Sequence, residues 1–291
     1  MPPPPNAPVD MVVDPTWQWG FGLLHFLVAA WVVYYAARTP VRQRDWRELA
    51  FRMTVLFSGA LGAVIFEPAV DRAVNLWYAE IGAWPLSHMW GIYVPLWVAP
   101  VYLWFIGGGS LVIVDRIRKG GTTRDYLLIF GGIAVADLLL EVPIIKIAKL
   151  YTYYGENQPF FSQDWFPLPL WLIFTNRVFD LVPALLLVVL MSFRSKWVIA
   201  GIPVLMFGSM YVSYGLVTWP TVAALHNGAG PLVAHLAAVY TIVVATLVTI
   251  AGARIAPRMR HLMDHHTPAG RRAAVEAEPA ASGLAPALVT D

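Results

Sequence analysis

Seven apolar runs, each near the ~20 residues that a helix needs to cross a bilayer, alternate with short polar connectors. Their length and apolar character predict membrane spans. The expected spans are Trp17–Ala37, Phe51–Glu67, Tyr93–Val114, Tyr126–Ile145, Leu168–Leu190, Trp197–Val217 and Leu232–Ala253. The fold class is therefore all-α, a polytopic membrane protein of about seven transmembrane helices.

Basic residues give this pattern a direction. Arg38, Arg42, Arg44 and Arg47 follow the first span, and Arg116, Arg118, Lys119 and Arg124 the third. Arg194 and Lys196 follow the fifth, and Arg254, Arg258 and Arg260 the seventh, whereas the alternate connectors are poor in them. The positive-inside rule then predicts the N-terminus outside and the C-terminus inside. Residues 1–15, rich in proline and without a basic stretch that would mark a cleaved signal, are expected to be disordered. Residues 16–256 form one membrane domain, and 257–291 read as a basic, then Ala/Pro-rich, disordered cytosolic tail.

Composition narrows the class further. Of 291 residues, 58% are hydrophobic and only 13% charged, against about 25% charged in soluble domains. There is no cysteine, which excludes disulfides, iron–sulfur clusters and thiol chemistry. The last span contains no lysine, so a retinal Schiff base has no anchor. An extracellular Cys pair and an Asp-Arg-Tyr end to the third span, landmarks of G-protein-coupled receptors, are missing as well.

Within the fourth span, Asp137 and Glu141 stand four residues apart in the run Asp137-Leu138-Leu139-Leu140-Glu141-Val142-Pro143. Each carboxylate would cost ~2.5–3.5 kcal/mol at a helix centre if it faced lipid. The i, i+4 spacing puts both on one face, about 6 Å apart along the axis, and that face must look inward. The fifth span brings Asn176, Arg177 and Asp180 to a similar depth, and the second ends at Glu67 with Asp71 one turn beyond. Arg177 is expected to hold one carboxylate as an anion while desolvation and like charge keep another neutral. A neutral and an ionised acid in one apolar chamber are the equipment of general acid–base catalysis. A purely structural polar network tying the spans together is the alternative. Glu67 and Asp71 are also readable as headgroup-level charges.

Two outer connectors are rich in aromatic residues: one around Trp77 and Tyr78, the other Tyr151-Thr152-Tyr153-Tyr154-Gly155. They read either as an interfacial aromatic belt or as a lid over a pocket. His25 and His235, in the first and last spans, read as hydrogen-bonded core residues rather than metal ligands. The His261 to His266 stretch reads as solvated. Gly107-Gly108-Gly109 reads as a close helix-packing site rather than a phosphate loop.

Several of these stretches, Phe66-Glu67-Pro68 with Asp71 and Trp77-Tyr78, Val94-Pro95-Leu96-Trp97, Asp137 through Pro143, Tyr151 through Gly155 with Gln158-Pro159-Phe160, and Phe166 through Trp171 followed by Asn176, resemble the AveC-like spirocyclase family over roughly residues 50–190. The resemblance implies an actinobacterial integral-membrane protein that closes a dihydroxy-ketone to a spiroketal with loss of water. It supplies no settled catalytic set. The architecture is also similar to that of the fungal integral-membrane terpene cyclases.

The resulting expectation is a cyclase or dehydratase in a bacterial plasma membrane, working on a lipophilic polyketide- or isoprenoid-like substrate with no cofactor, metal or nucleic acid. Glu141 or Asp137 would protonate the substrate. Asp180, oriented by Arg177, would stabilise the cation, with Asn176 and Glu67 completing the catalytic set. Asp71, Trp77, Tyr78, Trp97, Tyr151, Tyr153, Tyr154 and Trp171 would hold the substrate body. The competing class is a proton-coupled transporter or lipid-binding protein.

Overall fold

The computed structural model describes residues 2–266 apart from 194 and 196, with side chains as far as Leu262. Arg194, Lys196 and the tail from 267 onward therefore lie outside the described residues. Seven helices are long and apolar enough to cross a membrane, as the hydrophobic pattern predicts. The first is α1 (Pro15–Gln43), opened by Pro15 and by Asp14, whose Oδ1 accepts from the backbone N–H of Thr16 at 2.7 Å. A tight turn with Arg44 in the left-handed region leads into α2 (Trp46–Ile65), capped by Asp45. The third span, Val98–Arg118, is composite: α4 follows α3 (Glu67–Val74) in the chain and covers Val98–Tyr102, a π-helical turn covers Leu103–Gly108, and α5 covers Gly109–Arg118. The fourth joins α6 (Thr123–Pro143), started by a Thr122–Asp125 capping box, to a second π-helical turn at Ile144–Ala148. Then come α7 (Leu170–Ser192), α8 (Val198–His226) and α9 (Pro231–Ile255).

The helix α7 is the hub, packing on α5, α6, α8 and α9. Its apolar window is 61% buried, whereas that of α1 is only 22% buried, so α1 stands at the edge of the bundle. Trp31, Leu139, Val204, Leu216 and Leu232 are exposed on the outer faces, where a bilayer would cover them.

Small residues set the closest approach. A Cβ on Gly59 would stand 2.7 Å from the Gly107 nitrogen, and one on Gly107 would stand 2.8 Å from the Leu56 Cα. Backbone therefore meets backbone where α2 crosses the π turn, as the triple glycine suggests. At one end of the bundle an ion-pair group ties α2 to α5. Arg52 donates to both Asp115 oxygens (2.6 and 3.0 Å) and to Glu48 (2.8 Å), and Arg118 also reaches Glu48.

The other end carries two small antiparallel ribbons that the all-α expectation did not include. One pairs β1 (Leu76–Tyr78) with β4 (Tyr151–Tyr153). The other is a hairpin of β2 (Pro85–Met89) and β3 (Ile92–Pro95), turned by Trp90 and Gly91, both at positive φ as a two-residue hairpin requires. Tyr93, expected inside the third span, lies on β3. The start of α1 and the residues before it meet the loop between β1 and β2. The N–H of Val13 donates to the Ile81 carbonyl at 2.9 Å, and Gln18 clamps the loop through Gly82 O (3.2 Å) and Trp84 N (2.7 Å). Ala256–His266 continue α9 as a 3-10 helix, with Met259 packed into the core.

If the glycine contact sets the spacing of α2, Gly59→Ala will lower stability by ~1–3 kcal/mol through overpacking. Gly20→Ala, with nothing within 4 Å of the new Cβ, will be neutral or gain ~0.5–1 kcal/mol. Thermal unfolding in detergent compares the two; equal effects would contradict the packing account.

Candidate active site

A cavity of about 140 Å³ lies beneath the ribbons and opens among α1, α3, α4, α6, α7 and α8. Three local breaks in the helices build it. The second span stops at Ile65, and Pro68, in the first turn of α3, restarts the chain as a separate short helix. Glu67 and Asp71 then stand four residues apart on the buried face of α3, and both line the cavity. Asn75, with φ +56°, ends α3 and turns the chain into β1. The π turns contribute Phe105 and Ile106 from the third span and Ile144 from the fourth. Such turns widen a helix locally and concentrate at functional sites.

The β1–β4 ribbon is the lid. Its register pairs Tyr78 with Tyr151 and Leu76 with Tyr153. The two-residue period of a strand turns those four side chains to the cavity and carries Trp77 and Thr152 away from it. Trp77, expected to hold substrate, is buried but does not border the cavity. The aromatic residues of both connectors are thus a packed cover, and the aromatic-belt reading fails for Tyr78, Tyr151 and Tyr153.

Each of two glutamates is held by a pair of phenols. The hydroxyls of Tyr78 and Tyr102 donate to opposite oxygens of Glu67. Those of Tyr151 and Tyr153 donate to Glu141 Oε2 at 2.9 and 3.4 Å, while Asn176 Nδ2 donates to its Oε1 at 3.5 Å. Burial and the neighbouring carboxylates push the phenols of Tyr78, Tyr151 and Tyr153 well above their ordinary range, which keeps them as donors. Burial also raises Glu67, against the opposing pull of its two phenols. Asp71 is pushed well up, first by burial and then by the charge on Glu67 beside it. Its Oδ2 has no hydrogen-bond partner. Burial and like charge therefore favour the neutral carboxyl at Asp71 beside Glu67. Both residues are buried within the protein, 7% and 1% exposed.

Of the residues expected at the site, Asp137, Glu141, Asn176, Glu67, Asp71, Tyr78, Trp97, Tyr151 and Tyr153 line this one cavity. Arg177 and Asp180 do not. Leu172, Asn176 and Phe179 form the stripe of α7 that faces the cavity, and one residue further turns about 100° round the helix. Asp180 consequently points at α5, where it packs against Gly109, and neither of its carboxyl oxygens has a hydrogen-bond partner. Arg177 lies over the Phe174 ring at 4.9 Å, and among the described residues no carboxylate reaches it. The expected Arg177–Asp180 ion pair is therefore absent. Trp171 is fully buried in α7 packing, away from the cavity. Tyr154 borders a second, more polar cavity with Arg72, Asn75 and Asn157.

Tyr102 and Tyr214 complete the site and carry no motif in the sequence; each is a single phenol in an apolar span. Among the described residues no three His, Asp or Glu side chains are placed to hold a metal ion. Compared with models of protein families, with characterised proteins and with solved structures, the chain matches none.

The raised Asp71 makes stability depend on pH in a defined direction. Above pH ~4 the unfolded chain releases this proton and the folded chain retains it, so folding loses free energy as pH rises. Asp71→Asn removes that penalty. Its melting temperature relative to the wild type will be level near pH ~4 and increasingly higher towards pH ~8. A gap that does not change with pH would contradict the assignment.

Proposed function

We propose that the chain is an integral-membrane acid–base enzyme of the cyclase or dehydratase type, acting on a lipophilic polyketide- or isoprenoid-like substrate. The observation that supports it most is the pairing of two glutamates, each held by two tyrosines, inside one apolar cavity under a lid. The short motifs that resemble the AveC-like spirocyclases contribute Glu67, Asp71, Tyr78, Trp97, Asp137, Glu141, Tyr151, Tyr153 and Asn176 to its walls. The basic connectors would face the cytoplasm of a bacterial plasma membrane, with the lid and N-terminus outside.

In this reading Asp71 is the proton donor. A substrate hydroxyl adds to a carbonyl within the same molecule, and the hemiketal hydroxyl takes the Asp71 proton and leaves as water. The oxocarbenium ion that forms lies against the Glu141 carboxyl group, which Tyr151, Tyr153 and Asn176 orient. A second substrate hydroxyl closes the ring, and its proton passes to the Glu67–Asp71 pair, which restores the starting state. The apolar walls keep bulk water from reversing the loss. Asp71 thus takes the donor role expected of Glu141 or Asp137, and Glu141 the cation-stabilising role expected of Asp180 and Arg177.

Proton-coupled transport is the second reading, and Asp180 favours it, because a buried carboxyl without a partner beside the cavity wall is a possible relay. Comparison of lipophilic extracts by mass spectrometry separates the two. Cells expressing wild type at the same folded level as Glu67→Gln or Glu141→Gln will show a product lighter by one water, or an isomer of its precursor. Each variant will form it ~10²–10⁴-fold more slowly, and Asp180→Asn will retain it. Identical extracts from wild type and the glutamate variants in a host that makes the precursor would reject catalysis and leave transport ahead.

A further inference from the structure

His25, on α1, borders the same cavity and is 2% exposed. It was expected to be a satisfied core histidine, and only half of it is. Its Nδ1 accepts from the indole Nε1–H of Trp104 at 3.0 Å, with the two rings coplanar to within 1°. The opposite nitrogen, Nε2, is buried and has no hydrogen-bond partner.

An indole nitrogen only donates. Trp104 therefore requires a lone pair on Nδ1, which fixes His25 as the neutral tautomer protonated on Nε2. Phe21, edge-on at 4.1 Å, holds the ring from the other side. An N–H aimed from a buried, fixed ring without an acceptor is costly unless something supplies one.

We propose that His25 is the positioning donor for the substrate: its Nε2–H bonds a carbonyl or ether oxygen of the bound molecule. This rests on the reading of the cavity as a site for a lipophilic small molecule, and it adds the polarity of that molecule. The substrate is uncharged. Glu67, Asp71, Asp137 and Glu141 all line the cavity, and a carboxylate ligand would meet their like charge. A neutral oxygen acceptor satisfies His25 without that repulsion. The bond also fixes one oxygen at the α1 wall, so that the reacting carbon is presented to the acids on α3 and α6. His25 is a donor only and moves no proton.

The test uses the full chain in lipid nanodiscs, with 2-nonanone and its isosteric alkene, 2-methyl-1-nonene, as probes. Binding is read from the fluorescence of the cavity tryptophans. Wild type will prefer the ketone by about five- to tenfold, the worth of one hydrogen bond. His25→Phe will lose that preference and keep its alkene affinity, and His25→Gln, which restores an N–H, will recover part of it. Nitrogen NMR of labelled histidine in the wild type, which needs no variant to fold, will show the His25 resonances of a neutral Nε2–H ring, with the Nε2 signal moving on ketone addition alone. Equal binding of both probes by wild type, or an Nδ1–H tautomer, would overturn the role of His25 and leave the cavity reading standing. If neither probe binds, both readings are overturned.

Discussion

A carboxylate buried in an apolar protein interior has to find donors, and here each of Glu67 and Glu141 finds two tyrosines. Much of the architecture follows from that requirement. Glu67 needs Tyr78 and Tyr102, which come from a lid strand and from the turn before a π-helical segment. Glu141 needs Tyr151 and Tyr153, which come from the strand paired with the first. The ribbon joins connectors that are far apart in sequence because its phenols must converge on acids from two different spans. The bundle below supplies rigidity: glycine contacts bring α2 against the third span, and an ion-pair group locks the opposite end.

The breaks in the helices serve the same end. A continuous second span would have carried Glu67 on past the bundle. Pro68 restarts the chain, and α3 lays Glu67 and Asp71 along one wall. The two π turns widen the third and fourth spans where they border the cavity, and the first of them also carries the glycine that meets α2. Walls of this kind gather Glu67, Asp71, Asp137 and Glu141 round one apolar space, where burial and like charge disfavour ionising all of them.

The seven spans were readable because length and uniform hydrophobicity specify them without reference to neighbours. Asp137 and Glu141 were readable because two acids in an apolar run have few physical explanations. Asp71 was placed near the site but credited with too little, since its depth depends on a helix break that hydropathy does not show. Asp180 and Arg177 were credited with too much. Their spacing permits a shared face, but the direction of that face depends on how α7 is rotated, and packing against α5 and α6 decides it. Tyr102 and Tyr214 left no trace, and His25 showed only as a core residue, because one polar side chain in an apolar span is compatible with many rotations. The ribbons went unseen for a related reason: strands of three residues carry almost no periodic signal.

The claim on which the rest depends is that an acid on α3 stays protonated at neutral pH beside tyrosine-held carboxylates. Infrared spectroscopy of the purified protein tests it directly, through the carbonyl stretch that only a protonated carboxyl shows. The account predicts that this band persists at neutral pH and that one component of it disappears in Asp71→Asn. An unchanged band in that variant, or a wild-type spectrum with every carboxyl ionised, would contradict it.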